Sequence, residues 1–197
     1  MTRATVQGSE GRRRSKPRWC AAALIAVVCA WGVGGSGQTQ TRDSDVEAAY
    51  LFNFAKFMHT RVHSPNKFTI AVVGKSAIGP MLETLTANEQ VDGRPLKVVH
   101  AATADQARDC DIVFLGESET LRLDRDLATL AGSNALTVSN IPEFVQRGGM
   151  IQFQIVDNRV RFLVNLDAAN KEKIALNSEL LKVAMSVQGS ANPEAQP

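Results

Sequence analysis

The residue pattern predicts an α/β domain in three layers, with a mostly parallel mixed sheet and a C-terminal β-hairpin plus helix. Three observations carry this. Short, almost wholly apolar runs at 68–73 and 111–115 each end at a glycine, as strands covered on both faces do. Stretches with apolar residues at helical spacing alternate with them. From 150 onward the pattern switches to apolar–polar alternation around Asp157-Asn158, the pattern of a hairpin.

Taken in order, Ser44 and Glu47 form a capping box, so a helix is expected from 44 to about 59 or 61, ahead of Ser64-Pro65. Its apolar residues, from Val46 through Met58, point in every direction and are interrupted only by Glu47, Asn53 and Lys56. A helix apolar all round is either core or covers one side with another chain. Strand 68–73 follows. Helix 76–86 carries Ile78, Met81, Leu82 and Leu85 on one side. Asp92-Gly93-Arg94-Pro95 is a turn into strand 96–101. A short helical linker at 104–108 leads to strand 111–115, and amphipathic helix 119–130 stops at Gly132. After strand 135–138, Pro142 opens a short helix at 141–147 that ends at Gly148-Gly149. Strands 150–155 and 160–165 make the hairpin. A last helix from Ser178 spaces Leu180, Leu181, Val183, Ala184 and Val187 helically. Right-handed crossovers place helices on both faces of the sheet.

Residues 1–37 read as a secretory signal peptide. Arg12, Arg13, Arg14, Lys16 and Arg18 precede an uncharged run from Trp19 to Val33, then Gly34-Gly35-Ser36-Gly37. The uncharged run falls short of the roughly 20 residues a spanning helix needs, so cleavage between 34 and 40 is expected over a retained anchor. The formal charge of the whole chain is +2, but from Gln38 onward 16 basic residues face 19 acidic ones. That mildly acidic body has no basic stripe and no electrostatic reason to bind nucleic acid. It is one domain's worth of chain, 43–188, with a disordered tail at 189–197. Cys20 and Cys29 leave with the leader, so Cys110 is expected to be unpaired and no disulfide forms. Asp109 and Asp111 beside it disfavour the thiolate, which favours a core role over a reactive one.

Little in the chain looks like chemistry. Val73-Gly74-Lys75-Ser76 follows a strand and opens a helix, yet Thr69 stands where a phosphate loop needs its first glycine; a weak anion site at the helix start stays open. His59 and His63 lack the glutamate of a zinc motif, since Thr60 follows the first. Glu117 and Glu119 read as a solvated strand-end pair. No catalytic set, cofactor site or metal site is expected, and the chain does not read as an enzyme. Asn53, seven residues after Val46, falls on the helix's apolar stripe; it and Asn165 either make structural hydrogen bonds or address a ligand. Lys56 and Arg94 complete the candidate ligand-binding residues, Arg94 being either a solvated turn residue or an anion contact. Leu51, Phe54, Phe57, Leu180 and Leu181 are the candidate partner-interface residues, on the first and last helices.

Four stretches in order carry a resemblance. They are Ala48 to Phe57 (Ala-Ala-Tyr-Leu-Phe-Asn-Phe-Ala-Lys-Phe), Asp92-Gly-Arg-Pro-Leu96, Cys110-Asp-Ile-Val-Phe114, and Gly148-Gly-Met-Ile-Gln-Phe153 with Val160-Arg-Phe-Leu-Val-Asn165. Together they resemble the YfiR family of exported bacterial proteins over roughly 43–188. The resemblance implies a periplasmic, non-enzymatic, dimeric repressor of an inner-membrane diguanylate cyclase. It would act by binding that enzyme's periplasmic domain, so lowering cyclic di-GMP and restraining biofilm formation. An outer-membrane peptidoglycan-binding lipoprotein would be a second partner, one that sequesters the repressor. Family members can pair a cysteine of the first strand with the one before Asp-Ile-Val-Phe; here Ala71 stands in that strand, which removes that redox link. The alternative from the residues alone is a periplasmic small-molecule sensor serving another signalling system.

Overall fold

The computed structural model describes residues 36–59 and 63–189. Helix α1 spans Ser36–Phe57 and runs directly into β1, Met58–His59. There follow β2 (Phe68–Val73), α2 (Gly79–Thr86), β3 (Gln90–Val91) and β4 (Arg94–Ala101), then a 3-10 turn at Ala104–Ala107. Next come β5 (Ile112–Leu115), a 3-10 segment at Glu117–Arg122, α3 (Leu123–Leu130) and β6 (Leu136–Ser139). The chain closes with β7 (Ile151–Val156), β8 (Arg159–Asn165), α4 (Leu166–Lys171), β9 (Ala175–Leu176), α5 (Ser178–Val183) and β10 (Ser186–Gln188). The expected leader lies outside the described residues except for Ser36 and Gly37, and so does the expected tail beyond Gly189. No described helix is long and apolar enough to cross a membrane.

The α/β architecture with a mostly parallel mixed sheet is as expected. Eight strands lie in the order β10-β8-β7-β6-β5-β2-β4-β3. Pairs from β4 through β7 are parallel, the β7–β8 and β3–β4 hairpins antiparallel, and β10 returns parallel to β8. Side chains two apart share a face, and the two faces bury separate cores. Phe68, Ile70, Val72, Ile112, Phe114, Leu136, Val138, Ile151, Phe153 and Phe162 pack with α1, α2 and α5. Ala71, Val73, Val113 and Leu115 point the other way, toward α3 and Phe144. The β3–β4 turn takes positive φ at Asp92 and Gly93, and the β7–β8 turn at Asp157 and Asn158, the backbone that two-residue hairpins demand.

The question left open for the first helix resolves toward the core. Leu51, Phe54 and Ala55 are buried. Tyr50 and Phe54 of α1 interlock with Phe153 and Phe162 of the hairpin strands, with ring centroids 5.2–5.9 Å apart across the contact. Leu51, Phe54 and, on α5, Leu180 are therefore interior side chains in this fold and cannot be contact residues on its surface. Phe57 is 42% exposed, and Leu181 is half-buried against the core.

Of the departures from expectation, four have a clear local reason. The helix starts at Ser36, upstream of the capping box; Gln38 to Asp43 contains no glycine or proline to stop it, and the Glu47 carboxylate accepts from Asn140. Helix α2 starts at Gly79 because the Ser76 hydroxyl accepts the Ile78 N–H in a local turn, and Pro80 then fits the first helical turn. Residues 141–147 are turns: Glu143 takes φ +61°, the Ile141 N–H donates to Ser139 Oγ, and the Val145 N–H donates to Gln152 Oε1. The last helix ends at Val183 because the Met185 N–H donates to the Phe162 carbonyl, starting β10 as a strand beside β8.

Candidate functional site

The parallel strands run β4-β2-β5-β6-β7 across the sheet. The chain leaves β2 outward to β4, then comes back across it to β5. In open α/β sheets the crevice at the carboxyl ends of strands flanking such a reversal is where ligands bind. Here that crevice lies between the loops that follow Val73 and Leu115.

A cleft of about 430 Å³ occupies this edge. The loop after β2 contributes Lys75, Ser76 and Ala77; Glu117 follows β5 and Asn140 follows β6. Helix α1 forms one wall with Asp43, Ser44 and Glu47, and Ile155 near the end of β7 completes the lining. The loops are pinned by backbone bonds: the Gly74 N–H donates to the Ala101 carbonyl and the Gly116 N–H to the Val73 carbonyl, both at 3.0 Å, and the Lys75 N–H donates to Ser118 Oγ at 2.8 Å. Gly116 admits no larger residue, because an added Cβ would collide with the Lys75 carbonyl oxygen.

Glu47 is the buried member of the set, 5% exposed. Burial pushes its carboxyl up to about 7; Glu117 and Asp43 push the same way by repulsion, and the hydrogen bond from Asn140 opposes them. Asn140 Nδ2 is shared, donating at 3.3 Å to Glu47 Oε2 and at 3.3 Å to Glu117 Oε1. Its Oδ1, shielded from solvent, has no partner among the described residues.

The four residues singled out from sequence for ligand binding do not meet in a cleft. Asn53 is exposed; Val46, from which its position was counted, is itself at the surface, so the stripe was anchored on the wrong face. Lys56 lies over the Phe52 ring and reaches Glu89 at 3.4 Å. Arg94 is turned inward at the opposite edge of the sheet, 3.5 Å from the fully buried Asp111, which also accepts the Thr69 N–H at 2.8 Å and meets His63 Nδ1 at 3.4 Å. Asn165 caps α4, accepting from the Ala168 N–H and donating to the Val145 carbonyl. Glu119 is not solvated: it is buried and gripped by the Arg122 guanidinium at 2.8–3.1 Å. Cys110 is buried and free among the described residues.

The cleft residues other than Lys75 and Ser76 went unassigned in the sequence because each was read locally, Glu47 as a cap and Glu117 as a solvated end. The available signal was positional. Lys75, Glu117 and Asn140 each follow, by one or two residues, the end of an apolar run.

Comparison with known proteins bears on the whole domain. A family model described as YfiR/HmsC-like matches residues 44–185. A comparison with curated proteins finds no match. A crystal structure of a conserved domain protein from Vibrio cholerae O1 biovar eltor str. N16961 superposes with a TM-score of 0.51 at 12% identity. An ABC domain from Streptococcus pneumonia, solved in complex with L-Trp, superposes at 0.49 with 10% identity. The overlap covers 74% of this chain and 60% of the length of each of those chains. The first likeness is one of fold alone, and the second is weaker still.

Proposed function

From the premise that the chain belongs to the YfiR/HmsC-like family, we propose that it is a periplasmic regulator that binds the periplasmic domain of an inner-membrane diguanylate cyclase and holds it inactive. The family match over 44–185 carries this reading, since it spans nearly all of the described residues. The domain is 43–188, delivered by a cleaved leader at 1–37, and it works by contact without turnover. Repression is a population shift: the regulator binds the inactive arrangement of the cyclase more tightly than the active one. Moving that equilibrium from 99% active to 99% inactive takes about 5.5 kcal/mol of differential affinity.

The surface that fits a partner is the C-terminal end of the sheet. Val183 on α5 is 60% exposed, and Met185 and Val187 follow it to the surface. Met185 reaches back to β7, with Gln154 Nε2 3.3 Å from its sulfur. Among the described residues strand β10 has a neighbour on one side only, which leaves its outer backbone for pairing. An exposed apolar row beside an open strand edge suits another chain better than water. Phe57 on α1 is a second apolar contact. The same regulator would form homodimers and be sequestered by an outer-membrane peptidoglycan-binding lipoprotein.

Deleting the gene is expected to raise cellular cyclic di-GMP, and the wild-type gene in trans to lower it again. An unchanged cyclic di-GMP level after deletion overturns the reading. The second reading, a small-molecule sensor, is favoured by one observation, the cleft at the reversal of strand order.

A further inference from the structure

Helix α1 enters the body of the domain through a carboxyl group. Arg42 and Val46 are exposed, and Asp43, Ser44 and Asp45 are half-buried. Glu47 is the first buried residue of the described helix, at 5% exposure. From there on apolar packing holds the helix down. Ala48, Leu51, Phe54 and Ala55 lie in the core, and Tyr50 meets the Phe153 and Phe162 rings. The turns before Glu47 bury no apolar side chain among the described residues, so their docking depends on what Glu47 meets.

Glu47 meets polar groups with little positive charge among them. Asn140 Nδ2, after β6, bridges Glu47 Oε2 and Glu117 Oε1 at 3.3 Å each. The other charged side chains lining this place are Asp43 on the same helix and Lys75 after β2. A shared amide at that distance is a weak partner for a buried charge. The neutral, protonated carboxyl suits the site better than the carboxylate does.

We propose that Glu47 is a proton-operated latch for the start of α1. Protonated, it keeps the turns before Tyr50 docked on the carboxyl edge of the sheet; ionised, it releases them, while the rest of the helix stays anchored by its aromatic contacts. Release takes away one wall of the cleft. The latch is independent of the cyclase reading and of what docks on β10.

The direction of the response follows from linkage. Burial pushes the docked Glu47 carboxyl up to about 7, and the lifted helix returns it to water and to 4.5. A group that holds its proton more tightly when docked favours docking as pH falls. Between pH 6 and pH 8 the released fraction therefore rises about tenfold.

Hydrogen exchange of the purified protein at pH 6 and pH 8, corrected for the intrinsic pH dependence of amide exchange, tests this. The amides of 42–48 are expected to be less protected than those of β2 at both pH values, because they open without the rest of the fold. Their protection should fall about tenfold from pH 6 to pH 8. Glu47→Gln keeps the side chain's shape but cannot ionise, so it should protect these amides equally at both. Glu117→Gln, at an exposed position, removes a repelling charge and should recover part of the protection lost at pH 8. The proposal is overturned if the 42–48 amides exchange as slowly as those of β2, if their protection in the wild type is the same at both pH values, if the pH dependence survives in Glu47→Gln, or if Glu117→Gln recovers nothing.

Discussion

At the scale of single residues, two buried acids set the molecule's response to pH and to substitution. Glu47 holds its proton more tightly folded than unfolded, its carboxyl rising from 4.5 to about 7. Its contribution to stability is thus whole below about pH 4.5 and is lost as pH rises toward 7. That loss is on the order of 3 kcal/mol if the shift is fully realised. Glu47→Gln, which cannot ionise, is expected to raise the denaturation midpoint at pH 8 relative to wild type and to change it little at pH 4.5; melts at the two pH values read this directly. Asp111 matters through the partners it satisfies. Its carboxylate serves the Thr69 N–H, Arg94 and His63 with no exposure to solvent. Asp111→Ala strands a buried guanidinium, so a loss of about 3–5 kcal/mol in urea titration is expected, with a smaller loss for Asp111→Asn, which keeps one acceptor. Neither role was legible in the linear chain. Glu47 looked like a cap because Ser44 stands three residues before it, and Asp111 looked like a strand end. What each carboxylate meets comes from residues 17 to 93 positions away.

At the scale of elements, the apolar runs were enough to find β2, β5 and the β7–β8 hairpin, because a strand covered on both faces or alternating across one leaves a pattern in the residues themselves. They failed where backbone donors had a choice of partner. The 141–147 segment has helical spacing, but Ser139 and Gln152 take the amides a helix would need. The end of α5 reads as helix through Val187, but the Phe162 carbonyl captures the chain first. The hairpin is held to α1 by aromatic rings, so Phe162→Ala, which removes a ring touching both Tyr50 and Phe54, is expected to cost about 3–5 kcal/mol by chemical denaturation. Gly116→Ala is expected to lower stability by about 1–3 kcal/mol, because the Lys75 backbone must move to admit the methyl group.

At the scale of the whole molecule, the strand order was the piece that no local pattern contained. Apolar periodicity identifies strands but not which of them are neighbours, and the cleft exists only because β2 lies between β4 and β5. The proposed docking surface lies at the other end of the sheet order, on β10 and α5. Met185→Asp with Val187→Asp should therefore leave the melting temperature within a few degrees of wild type, since both side chains face solvent, and yet fail to lower cyclic di-GMP when supplied to the deletion strain. A large drop in stability for this pair would place β10 in the core rather than at a contact. Cys110 gives the intact fold a means of reporting on itself. Its thiol is buried, and its ionisation is pushed up to about 11 by that burial and then by Asp111 and Asp109, with Lys67 opposing. With Cys20 and Cys29 changed to serine, a thiol-reactive dye reaches sulfur only in molecules that have transiently come apart, and its reaction rate becomes an internal clock for cooperative unfolding.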